Sequence, residues 1–380
     1  MRIAVNTRFL LKNKLEGIGW FTYETLKRLV LQHPEHEFYF LFDRPYDPSF
    51  IFAKNVTPVV LFPPARHAIL WYLWFEWSVP RALKKINPDI FLSTDGYLSL
   101  KTKVPTVMVV HDLAFEHYPE MVSAFSSKYY RHFSPLYCKK ATHIITVSEA
   151  SKKDIETIYG ISPTKITVAH NGINPIFKAI SECEKNAVRE KYGNGKNYFV
   201  YVGSLHPRKN IARLLKAFDV FKKNTSADTV LIIAGARGWQ LKEIDEVYHQ
   251  MRFKNDVIFT GHLNSEELVK IVASADAMVY VSLFEGFGIP VAEAMKCNVP
   301  VITSSISSMP EVAGNAALLV NPLNVEEIAN AMTKIYSDKT LANDLIEKGK
   351  VQCQQFNWDN TATVVWKTIL EITNKNVFKE

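Results

Sequence analysis

The segment VYVSLFEGFGIPVAEAM, Val279 to Met295, restricts the fold more than any other part of the chain. An apolar run, Ala277 to Val281, reads as a buried strand. A Ser, an acid and two glycines flanking a Phe follow, and then Pro290, which opens a helix where no backbone N–H is needed. The result is strand, loop, helix. A glycine loop that feeds a helix N-terminus points several amide N–H groups at one spot, and that spot favours an anion such as a phosphate. Glu285 precedes the loop and Glu293 follows it. On the helix Val291, Ala294 and Met295 share a face that suits a core, whereas Glu293 lies about 200° from Val291 and need not be buried.

The same alternation recurs along the chain. Strands are expected at 3–5, 38–42, 59–62, 89–93, 107–110, 144–147 and 166–169, with helices between several of them, and more strands follow in the second half. Alternating strand and helix argues for parallel sheets covered on both faces. At 380 residues the chain exceeds one ordinary core, and with 47% hydrophobic residues it can bury two. A net charge of +7 suits anionic partners, but no zinc-ligand array, aromatic RNA-binding signature or dense basic block points to nucleic acid. The four cysteines, Cys138, Cys183, Cys297 and Cys353, are scattered without a CxxC, which argues for a reducing compartment and the cytosol. The start, MRIAVNTRFL, reads as a strand and not a secretory signal, and no apolar run reaches the ~18 residues of a membrane span.

Three further stretches carry candidate chemistry. In GIGW, Gly17 and Gly19 form an expected turn between the first strand and a helix from about Phe21 to Leu31, where backbone approaches a phosphate. In TVMVVHDLAFEHYPE a strand ends in His111 and Asp112, and residues just beyond strand C-termini face the ligand crevice of open parallel sheets. Asp112 is placed to orient His111. In YVGSLHPRKN a strand reaches Gly203 and Ser204, and Arg208 and Lys209 stand at a helix start. Two cations there oppose the helix dipole by roughly 0.3 to 1 kcal/mol each unless an anion sits with them, which suggests a bound diphosphate.

AILWYLWFEWSVPRALKK, residues 68–85, packs Trp71, Tyr72, Trp74 and Phe75 together, with Trp77 following. It reads as a core helix, as a surface that touches an anionic membrane through Arg66, Arg81, Lys84 and Lys85, or as the lining of an acceptor pocket. Sequence leaves these three open.

The spacing Glu, seven residues, Glu, filled as EGFGIPVAE, resembles the mark of retaining nucleotide-sugar glycosyltransferases of family 4, and the likeness extends over nearly the whole chain. It implies an α/β chain of GT-B fold: two facing Rossmann-like domains with parallel sheets, roughly 1–175 on the acceptor side and 190–357 on the nucleotide-sugar side, joined by a linker through 174–195, with 358–380 crossing back onto the first. It implies that Glu285 contacts the transferred sugar, that the loop Gly286, Phe287, Gly288 and Ile289 meets sugar and diphosphate, and that Glu293 binds the ribose hydroxyls. His111 would contact the donor sugar, the glycine loop at Gly17 and Gly19 would face the diphosphate, and backbone at His262 and Leu263 would read the nucleobase. The family usually carries Gly-Arg where this chain has Gly203-Ser204. Lys209 fits the family's Lys, so either Arg208 supplies the missing charge or the phosphate contact is weaker.

The expected activity is transfer of a sugar, with retention, from a nucleotide diphosphate to a hydroxyl of a glycan or lipid-linked acceptor. No carboxylate cluster declares a metal, so no metal and no cofactor beyond the donor substrate is expected. The motifs GSLHPRKN, VHDLAFEHYPE and EGFGIPVAEAM most resemble bacterial mannosyltransferases of polysaccharide and lipopolysaccharide synthesis, which makes GDP-mannose the first choice of donor. A nucleotide-sugar epimerase or phosphorylase on the same fold, and a catalytically silent sugar-nucleotide binder, are the alternatives. The expected location is cytoplasmic, with peripheral contact on the inner membrane face if the aromatic segment is a surface.

Overall fold

A computed structural model describes residues 1–236 and 241–377. The turn expected through Arg237 and Gly238, and the last three residues of the expected crossing segment, lie outside the described residues. The chain divides into two compact units, Met1–Gly172 with Asn357–Glu380, and Ile173–Phe356.

Among the described residues, unit 1 holds seven parallel strands: β1 (Arg2–Asn6), β2 (Glu37–Phe42), β3 (Val56–Val60), β4 (Ile90–Ser93), β5 (Thr106–Val110), β6 (His143–Thr146) and β7 (Ile166–Val168). Their order in the sheet is β3-β2-β1-β4-β5-β6-β7. In register, Ile3 of β1 lies between Phe38 of β2 and Ile90 of β4, and all three are buried, as covering on both faces requires. The strand expected at 59–62 lies instead at Val56–Val60, with Pro58 inside it. As an edge strand paired only with β2, β3 tolerates a residue that cannot donate.

Unit 2 holds six parallel strands among the described residues: β8 (Asn197–Val202), β9 (Thr229–Ala234), β10 (Val257–Gly261), β11 (Ala277–Tyr280), β12 (Val301–Ser304) and β13 (Ala317–Val320), in the order β10-β9-β8-β11-β12-β13. The segment read as a linker contains a helix, Glu182–Gly193, inside this unit. Ser181 and Glu184 form its capping box, each side chain holding the other's backbone N–H.

The helix Trp358–Val377 packs in unit 1 against the helix Gly17–Gln32. Arg28 Nε donates to Asp359 Oδ1 at 2.7 Å, and His33 stacks on Trp366 with ring centroids 3.7 Å apart.

In each sheet the strand order reverses once: chain progress runs outward on both sides of β1/β4 in unit 1 and of β8/β11 in unit 2. Ligands of doubly wound sheets bind outside the strand C-termini at such switch points. The loops after β4, β8 and β11 are therefore the places to look for chemistry.

Candidate active site

The loops after β8 and β11 meet in one charged cluster. β8 leads through Gly203 and Ser204 to a short 3-10 turn, Pro207–Lys209, capped by His206 and followed by the helix Ile211–Thr225. Lys209 Nζ lies 2.5 Å from Glu285 Oε1 and donates to the Tyr280 hydroxyl at 2.8 Å. Arg208 Nη1 lies 3.0 Å from Glu285 Oε2 and also donates to the Phe284 carbonyl. The Tyr280 hydroxyl donates to Glu285 Oε1 at 3.0 Å.

Glu285 is 8% exposed. Burial would raise its pKa, but the Arg208 and Lys209 charges outweigh burial and hold the carboxyl at about 2. This corrects one expectation: the two cations sit on a 3-10 turn ahead of the helix, and their charge is met by a carboxylate of the same chain, so their position does not by itself demand a bound anion. Asn210, left-handed at φ 61°, ends the turn and fastens it by donating to the Val281 and Pro322 carbonyls.

The loop 281–288 is held from behind. Ser307 Oγ donates to the Glu285 carbonyl and accepts from the Glu285 N–H, while Ser308 Oγ reaches the carbonyls of Glu285 and Phe287. Gly288, at φ +104°, caps the helix Ile289–Lys296, and a Cβ there would come within 2.2 Å of the Met309 methyl. Only glycine satisfies both demands.

Glu293 lies on that helix, and the sequence reading that it need not be buried is corrected: it is half-buried. Among the described residues no ion pair or hydrogen bond to its carboxyl is found, and desolvation pushes its pKa up to about 8. Two acids eight residues apart thus sit in opposite environments. His262 is exposed and Leu263 half-buried after β10, two strands from β8, so neither joins the charged cluster.

In unit 1, His111 follows β5 beside the switch point. Its Nε2 lies 2.8 Å from the Thr94 carbonyl. A carbonyl only accepts, so the proton is on Nε2 and a neutral ring presents Nδ1 as an acceptor. Burial lowers the His111 pKa, against the pull of Thr94 and two nearby aspartates. The expectation that Asp112 orients the ring is corrected: Asp112 accepts from the Ala114 N–H, two residues on, at 3.0 Å. The ring is oriented by Thr94, which accepts from Thr22 on the first helix and donates to the Asn6 carbonyl.

The Gly17 and Gly19 turn is also corrected. Both lie in the first turn of the helix Gly17–Gln32, which begins four residues before the expected Phe21. Gly19 is buried there, and a Cβ would press on the Phe9 carbonyl at 3.0 Å and on Leu15 at 3.1 Å. Its smallness lets loop 9–15 close over the helix start. Phe21 packs edge-on to His111, with centroids 5.1 Å apart.

Sequence reasoning missed Tyr280, Thr94, Ser307 and Ser308, and a buried pair, Arg8 and Asp95, beside Tyr97 at the unit 1 switch point. Ser307-Ser308 ahead of Met309-Pro310 carried a cap-like signal. Tyr280 looked like any core aromatic.

Among the described residues no group of three or more His, Cys, Asp or Glu side chains gathers as a metal site, and no helix is long and apolar enough to cross a membrane.

Two doubly wound parallel sheets with switch-point loops of this kind define the GT-B architecture. Sucrose-phosphate synthase from Thermosynechococcus elongatus superposes with a TM-score of 0.80 at 17% identity, covering 98% of this chain and 99% of that one, a likeness of fold alone. The chain belongs to the family 4 glycosyltransferases: residues 15–177 match the domain described as Glycosyltransferase Family 4, and residues 184–352 match Glycosyl transferases group 1. It is 29% identical over 283 residues to O-antigen chain mannosyltransferase B of Escherichia coli, 74% of each chain. It is 29% identical over 303 residues to O-antigen chain mannosyltransferase RfbU of Salmonella typhimurium, 80% of each.

Proposed function

We propose that this glycosyltransferase moves mannose from GDP-mannose to a hydroxyl of a glycan or lipid-linked acceptor, with retention at the anomeric carbon. The observation that carries the division of labour is the pair of acids: Glu285 ionised between two cations, and Glu293 without a partner among the described residues. Environments that push two carboxyls apart assign them different tasks.

Glu293 is assigned to the ribose, whose hydroxyls would donate to it. Arg208, Lys209 and the start of the helix Ile289–Lys296 are assigned to the diphosphate, and Glu285 to the transferred sugar. His111 is assigned to a sugar hydroxyl through Nδ1. His262 and Leu263 are assigned to the nucleobase.

As the bond from the anomeric carbon to the diphosphate oxygen breaks, positive charge grows on the sugar and negative charge on the leaving group. The acceptor oxygen bonds to the anomeric carbon from the same face, and its proton passes to the leaving phosphate. The choice of mannose is supported by the names of the two relatives at 29% identity. With two cations to absorb the leaving charge, we expect turnover to survive excess chelator.

A melting panel with GDP, UDP, dTDP and ADP tests the base, since a ligand that binds the folded state raises the midpoint. GDP is expected to raise it most. A larger rise with UDP would overturn the donor, and NMR of the product showing only the inverted anomer would overturn retention.

A further inference from the structure

We propose that the outward face of residues 62–85 is a docking surface for an anionic lipid bilayer. The segment divides into a helix, Ala68–Leu73, a π turn, Trp74–Ser78, and a second helix, Val79–Ile86. The inward side is core: Trp74 and Phe75 are fully buried, and Trp71 is half-buried, stacked on Tyr130 and donating to the Ala65 carbonyl. The outward side carries Ile69, Tyr72, Trp77, Arg81, Lys84 and Lys85, all exposed.

The π turn aligns that outward side. From Ile69 to Tyr72 is three residues and from Trp77 to Arg81 four, each close to one α turn, whereas from Tyr72 to Trp77 is five, one π turn. In an uninterrupted α-helix the position above Tyr72 would be Phe75 or Glu76. The extra residue turns both inward. Glu76 is 4% exposed, and its Oε1 accepts from the Leu100 N–H at 2.8 Å. It is the only acid in residues 61–88 of the sequence, so the bulge removes the one negative charge from the stripe.

What remains matches an anionic interface in shape and sign. Trp77 is 49% exposed and Ile69 59%. The Arg81 guanidinium lies 4.9 Å from the Trp77 ring centroid and Lys101 Nζ lies 5.6 Å from it. Phe62, 82% exposed, is tethered beside the helix by Ser78 Oγ donating to its carbonyl at 2.5 Å. Aromatic and aliphatic side chains at headgroup depth, ringed by Arg and Lys, are the pattern of interfacial binding, and each cation near an anionic leaflet strengthens it. A soluble polyanion would use the cations but gives no role to Phe62, Ile69 and Trp77.

The test is sedimentation of the full chain with phosphatidylcholine vesicles, with and without phosphatidylglycerol, at low and at physiological salt. The proposal expects binding that needs the anionic lipid and weakens with salt. Phe62→Ser with Trp77→Ser, and separately Lys84→Glu with Lys85→Glu, should each lower the partition coefficient by about tenfold or more with the melting temperature kept. Lys242→Glu with Lys254→Glu, exposed cations of unit 2, should bind like the parent.

Three results would overturn the proposal: no binding by the parent, equal binding to purely zwitterionic vesicles, or equal loss in the unit 2 control. Retention on dextran sulfate that depends on Lys84 and Lys85 but not on Phe62 and Trp77, with no vesicle binding, would assign the face to an acidic polymer instead.

Discussion

Lys209 Nζ and Glu285 Oε1 stand 2.5 Å apart, so Glu285 is an internal counter-ion among the groups we assign to the donor's diphosphate. Under that assignment we propose that a diphosphate arriving there would compete with Glu285 for Arg208 and Lys209 and free the carboxylate toward the sugar, an exchange of partners.

Glu285→Ala should therefore separate turnover from nucleotide affinity. Its loss removes a contact that strengthens as charge develops, and kcat should fall by ~10²-fold or more. GDP should bind as well as to the parent or better, because both cations lose their internal partner. Steady-state kinetics and calorimetry check this, and loss of GDP binding would refute the exchange. The ion cluster also shapes acid stability. The folded pKa of Glu285, about 2, lies below its ordinary value of 4.5, so the stability it contributes is present above 4.5 and is lost as pH falls toward 2.

Glu293 has the opposite sign. Between its ordinary value of 4.5 and about 8, the folded chain keeps a proton that the unfolded chain has lost, so stability should decrease as pH rises through that window. Glu293→Gln should flatten this dependence and be the more stable protein at pH 9, by roughly 1 kcal/mol or more. Ribose hydroxyls donate best to the carboxylate, so nucleotide binding at pH 7 should release a proton. Calorimetry in two buffers of different ionisation enthalpy measures that release. Glu293→Gln should abolish it and raise the donor KM more than it lowers kcat. Equal proton release from the variant would show that another group supplies it.

His111 is held neutral by burial, with Nδ1 available to accept. Activity should fall on acidification only below the ordinary histidine value of about 6.5, because burial lowers the His111 pKa and protonation removes that acceptor. Stability moves the same way: the folded pKa is depressed, so the unfolded chain takes up the proton first and stability is lost as pH falls below about 6.5. His111→Gln should keep some activity without this acid limb, and His111→Ala should lower kcat about as much as Glu285→Ala while GDP still binds. An unchanged acid limb in His111→Gln would remove the histidine from the reaction.

Trp74 and Trp77 are three residues apart and should behave as opposites. Trp74→Ala empties a fully buried site and should cost ~3 to 5 kcal/mol in denaturant unfolding. Trp77→Ala, at a half-exposed site, should stay within about 0.5 kcal/mol. A similar cost for both would mean that the outward stripe is packed in solution.

Much of this was legible because buried parallel strands announce themselves as apolar runs, and because glycine loops leave a spacing that sequence preserves. EGFGIPVAE, GSLHPRKN and VHD each lie where a strand ends at or beside a switch point. What sequence could not show was pairing across the sheet. Arg208 and Glu285 are 77 residues apart, and only the β8–β11 neighbourhood turns two apparent ligand groups into partners of one another. Gly17 and Gly19 read as a phosphate turn ahead of the helix, yet they form its first turn, where the close approach of Phe9 and Leu15 to Gly19 outweighs glycine's low helix propensity. The three readings of residues 68–85 could not be separated because a π turn has no period that sequence displays, and the segment is core on one side and surface on the other.

The helix Trp358–Val377 belongs to unit 1 although unit 2 is encoded ahead of it. On the ribosome, unit 1 must therefore wait for some 184 intervening residues, 173–356, before the partner of its first helix exists. At about 5 to 20 residues per second that delay is roughly 10 to 40 s. For that interval Phe21, Arg28 and His33 lack the neighbours they have in the finished protein.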